Sequence, residues 1–79
     1  MGHARPRPKH LAQKLLRIRQ HAGLSQPQLA KALGVKVYND LSKFELGKNE
    51  PSLMTLLAYS RFAGVRVEAL IDDDLTLQF

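Results

Sequence analysis

The chain has 79 residues, 44% of them apolar and none of them cysteine, so it is one small domain with a core but without disulfides or cysteine-ligated zinc. No stretch approaches the run of about 18 apolar residues that a membrane helix needs, and no apolar segment follows the basic N-terminus. A cytoplasmic protein without a membrane partner is therefore expected. The net charge of +5 is unevenly spread: residues 1–48 hold ten Lys/Arg against Asp40 and Glu45, whereas residues 49–79 hold Arg61 and Arg66 against Glu50, Glu68, Asp72, Asp73 and Asp74. Segregation of this kind turns one basic face toward a polyanion and one acidic end away from it.

Residues 1–10, "MGHARPRPKH", have alternate prolines and no apolar periodicity, which predicts a flexible basic arm. From Leu11 the spacing becomes helical, with Leu11, Leu15, Ile18 and Ala22 on one face, Lys14 and Arg17 elsewhere on the surface, and Gly23 as a left-handed cap. In "GLSQPQLAKALG", Ser25 and Gln28 form a capping box, Leu24 and Leu29 a hydrophobic staple, and Pro27 falls in the first turn, where no N–H is missed. Leu29, Ala30 and Leu33 make the inner face of this second helix, which Gly34 closes.

A third helix over about 38–46 points Leu41 and Phe44 inward, joined by Val37, and stops at Gly47. The fourth begins at Ser52, turns Leu53, Leu56, Leu57 and Ser60 inward, and ends at Gly64. A short fifth helix, "VEALID", carries Val67, Leu70 and Ile71. Only the tail "LTLQF" alternates, with Leu75, Leu77 and Phe79 on one side, as a short extended segment would. The expectation is an all-α domain of five short helices: an arm at 1–10, the domain at 11–72 and a tail at 73–79.

The second and third helices, joined by a few residues containing glycine, make a helix-turn-helix. Here "LSQPQLAKALGV" and "LSKFELGKNEPSLMTLLAYSRFAGV" resemble the lambda-repressor/Cro-like (XRE-type) helix-turn-helix domains, over about residues 11–72. The resemblance implies double-stranded DNA as partner, with the third helix in the major groove and the second across the backbone. Counted back from Gly47, it places base reading on Tyr38, Asn39 and Lys43, with Ser42 a weaker candidate. Asn pairs bidentately with adenine and Lys donates to guanine. The resemblance also puts Gln26 on a phosphate or in support of the reader, and Lys48 and Asn49 on phosphates. Lys36 joins them by position and charge. Glu45, which would repel phosphates, is paired with Arg19 on the first helix as a structural ion pair. One departure stands out: the interval from Gly34 to Glu45 is one residue longer than the family's usual spacing. The extra residue in "KVYND" either lengthens the turn or shifts the start of the reader helix.

Other roles are open to several of these residues. Asn39 is suited to be the N-cap of the third helix, Tyr38 to cover the core edge, and Lys43 to be a plain solvated charge. The acidic run Asp72–Asp74 is expected to be a solvated end to the last helix. Leu75, Leu77 and Phe79 would dock on their own domain, pair across a homodimer, or fray. The leading function is a sequence-specific transcriptional regulator, a repressor. The alternative is an antitoxin-like module that neutralises a toxin or other protein partner. No nucleophile–base arrangement and no phosphate-cradling glycine loop argue for an enzyme. His3, His10 and His21 share no face with carboxylates, so neither metal nor other cofactor is expected.

Overall fold

Five helices follow one another in the computed structural model, which describes residues 8–36 and 38–78: α1 (Leu11–Ala22), α2 (Gln26–Leu33), α3 (Asn39–Glu45), α4 (Leu53–Ala63) and α5 (Val67–Ile71). The first seven residues of the basic arm, the inward packing of Val37 and the docking of Phe79 lie outside the described residues. Two of the helices, α2 and α4, start where a serine supplies a cap. Ser25 Oγ accepts from Gln28 N while Gln28 Oε1 accepts from Ser25 N, completing the capping box at α2. Ser52 Oγ does the same for Thr55 N at α4. The turn after α2 requires glycine: Gly34 has φ of 77°, and Val35 N returns to Ala30 O at 2.8 Å.

Leu11, Leu15 and Ile18 of α1 meet Leu29 and Ala30 of α2, Leu41 of α3, Leu56 and Tyr59 of α4, Leu70 of α5 and Leu77 of the tail in one core. α1 packs on α3 and α5, α2 on α3 and α4, and α4 on α5. No strand occurs among the described residues. The tail is irregular instead; Leu77 is buried in its own domain and Leu75 is exposed.

Several inward assignments are corrected. Ala22 is exposed, because Gly23 ends the stripe one turn beyond Ile18. On α4, Leu53 is 77% exposed and Leu57 half-buried, while Tyr59, fully buried, holds the centre with Leu56 and Ser60. Leu53 shares the stripe of Leu56 and Ser60, so its exposure comes from its place at the very start of α4. Ile71 is exposed, and Leu70 is the fully buried residue of α5.

Lys14 is the largest correction: it is 6% exposed, and Nζ donates to Ala69 O at 2.8 Å and Asp72 O at 2.9 Å. Its position, three after Leu11 and four before Ile18, lies on the apolar stripe. The aliphatic stem packs there while the ammonium serves the free carbonyls ending α5. Asp73 is likewise more than a solvated charge. Its carboxylate accepts from Lys9 N at 2.9 Å and His10 N at 3.1 Å, at the entry to α1. These hydrogen bonds, that from Lys9 first, hold the Asp73 pKa below the usual carboxylate value. His10, the N-cap of α1, offers no side-chain cap of its own, so the acid comes from the tail.

Candidate nucleic-acid interface

α3 is seven residues long, and its two sides differ sharply. Leu41 is fully buried, Phe44 is half-buried against the core, and Glu45 is turned toward α1. At 100° per residue the opposite side carries Asn39 and Lys43, both exposed, with Ser42 and Asp40 on its flanks. Tyr38 precedes the helix as its N-cap residue, is half exposed, and makes no side-chain cap. Asn39 is the first helical residue and not the N-cap. Helix register runs unbroken from Asn39 to Glu45.

Glu45 is the anchor of this geometry. Arg19 Nε donates to Oε2 at 2.8 Å and Arg19 Nη2 to Oε1 at 3.0 Å, and the Glu45 side chain is only 5% exposed. Gln26 Nε2 also donates to Oε1, at 3.0 Å, and Arg19 Nη1 reaches Leu24 O at 3.1 Å. One carboxylate therefore joins α1, the first residue of α2 and the end of α3. The hydrogen bond to Glu45 raises the Arg19 guanidinium pKa above its ordinary value. Glu45 is thus neutralised from inside the domain. Gln26 has one of its two amide hydrogens committed to this brace.

The end of α3 is closed by backbone. Gly47, at φ of 75°, donates to Phe44 O, and Lys48 N and Asn49 N both donate to Lys43 O, at 2.9 and 3.4 Å. This turn sets Lys48 and Asn49 at the end of α3, both exposed. Lys36, exposed in the turn before α3, stands at its other end. Lys36, Lys43 and Lys48 make no ion pair among the described residues. Two residues of this surface escaped the sequence reading. Leu46, 65% exposed, follows Lys43 by three and shares its side of the helix. Asp40, half-buried, is an acid flanking it. The spacing alone would have marked both.

Among the described residues no group of three or more His, Asp or Glu is placed to hold a metal ion, and no helix is long and apolar enough to cross a membrane. Tyr59, beside the brace, has its hydroxyl buried without a hydrogen-bond partner among the described residues. Burial, then the Glu45 charge, raises its phenol pKa, so the group stays neutral. The sequence profile of the helix-turn-helix family matches residues 15–70, from α1 through α5. No curated protein and no solved structure gives a significant match.

Proposed function

The chain belongs to the lambda-repressor-like helix-turn-helix family of DNA-binding regulators, and from that premise we propose that it is a sequence-specific double-stranded DNA-binding repressor of the cytoplasm. α3 enters the major groove, whose width of about 12 Å admits one helix. Asn39 reads adenine, Lys43 guanine, and Tyr38 and Ser42 complete the contact. Lys36, Lys48, Asn49 and the remaining amide hydrogen of Gln26 hold phosphates, and two copies occupy paired half-sites. Repression follows from occupancy of the groove. The observation that carries this reading is the exposed Asn39–Lys43 side of a helix whose only buried acid is already satisfied by Arg19 and Gln26.

Selection of bound duplexes from random oligonucleotides tests it, followed by titration at rising salt. Affinity for the selected site should fall by orders of magnitude between about 50 and 200 mM salt. Lys43→Ala should relax preference at one base position, by about 1–3 kcal/mol, whereas Lys48→Ala weakens all sequences alike and lowers the salt slope by about 1. No enriched sequence, or the same loss profile for both variants, would overturn the division into reader and anchor.

A further inference from the structure

Among the described residues, Leu46 is the aliphatic member of an otherwise polar surface. Tyr38, Asn39, Ser42, Lys43, Lys48 and Asn49 all carry hydrogen-bonding side chains, whereas Leu46 offers none and is 65% exposed. A lone exposed leucine needs no explanation on most surfaces. This one is set apart by where it stands. At 100° per residue it lies within about 20° of Asn39 and about 60° of Lys43 around the helix axis. That is the side opposite the buried Leu41.

The backbone fixes it there. Leu46 N donates to Ser42 O at 3.0 Å, which carries the register of α3 one residue past Glu45, and its φ of −88° and ψ of −5° remain right-handed. Gly47 N then donates to Phe44 O and Lys48 N to Lys43 O, closing the turn directly behind it. The isobutyl group is therefore presented by a closed turn and not by a loose end.

An aliphatic side chain makes no hydrogen bond to phosphate, and its contact with water is unfavourable. The apolar group that the major groove offers it is the C5-methyl of thymine. Seven residues of helix rise about 10 Å, or about three base-pair steps of 3.4 Å. Leu46 thus meets a different base pair from Asn39, with Lys43 between them. We propose, on the DNA reading above, that Leu46 is a specificity-determining residue that reads one thymine in each half-site by covering its C5-methyl group. The exposed side of α3 then carries an amide, an ammonium and an aliphatic group in order, and Leu46 adds a preference that no hydrogen bond supplies.

Uracil in place of thymine removes that methyl and keeps every hydrogen-bonding group of the base pair. The duplex selected by the wild-type chain is prepared with uracil at each thymine in turn, and affinity is measured for wild type, Leu46→Ala and Leu46→Met. At one thymine of each half-site, uracil should weaken wild-type binding about fourfold, as burial of a single methyl implies. The same exchange should leave Leu46→Ala unaffected, while Leu46→Met, which keeps an apolar chain, should retain most of the difference. Comparing thymine with uracil within one variant cancels any change in its folding. Uracil effects that are equal in wild type and Leu46→Ala, or a selected half-site without thymine, would overturn the proposal and leave the DNA reading standing. A wild type indifferent to uracil that still weakens on Leu46→Ala would put the leucine against sugar or protein, and overturns it too. Failure to enrich any duplex would overturn both.

Discussion

Two cations on α1, Lys14 and Arg19, both turn into the domain, and they are received differently. Arg19 meets a carboxylate shared by three helices. Lys14 meets two backbone carbonyls at the end of α5. Both receiving helices are too short to persist alone, at seven and five residues. The reader is tied by a forked guanidinium–carboxylate pair, which fixes direction as well as distance. The C-terminal end is tied by an ammonium, which satisfies carbonyls and imposes less orientation. α3 has the stricter tie, and α5, which closes the domain, has the looser one.

Removing the reader's tie should have the largest effect. Glu45→Ala strands Arg19 and Gln26 as unpaired donors, and the loss should be about 3–5 kcal/mol. For a domain of this size the melting temperature would fall by more than about 10 °C. A melting temperature within a degree or so of wild type would mean the brace holds nothing. Next comes the other tie. Lys14→Met keeps an apolar stem but withdraws the donor from Ala69 O and Asp72 O, and should cost about 2 kcal/mol. Amide exchange would sharpen the contrast: protection should drop first in α5 and the tail while α3 keeps its own. Equal loss in both places would erase the distinction between the two ties.

The smallest expected effect has the opposite sign. Tyr59 buries a hydroxyl next to Arg19 and Glu45 without bonding it to a described residue. Tyr59→Phe removes that unsatisfied group and should stabilise the domain by up to about 1 kcal/mol in a denaturant titration. A clear loss would show that the hydroxyl is part of the reader's brace.

Much of the fold was legible because its signals are local. Ser25 with Gln28, Ser52, and the glycines at 23, 34, 47 and 64 act on backbone groups within a few residues, and such chemistry can be read along a chain. The exposed Asn39–Lys43 side followed from spacing once Leu41 was placed inward. Less legible were the residues whose type and position disagree. Lys14 sits on an apolar stripe, Leu53 at an apolar-looking helix start, and Tyr59 carries a polar tip into the core. In each case burial depends on which neighbouring helix arrives, not on the residue itself.

By itself the sequence determined that there are five helices, with the capped starts of α2 and α4 and the glycine-ended stops of α1, α2 and α4, because caps, turns and periodicity are set by neighbours along the chain. Tertiary structure alone decided that Lys14 and Asp73 would join the two ends of the domain. It decided also which side of α4 would stay bare. Those outcomes depend on groups more than fifty residues apart coming within hydrogen-bond reach, or on how a helix is rotated against its neighbours. No local pattern encodes either.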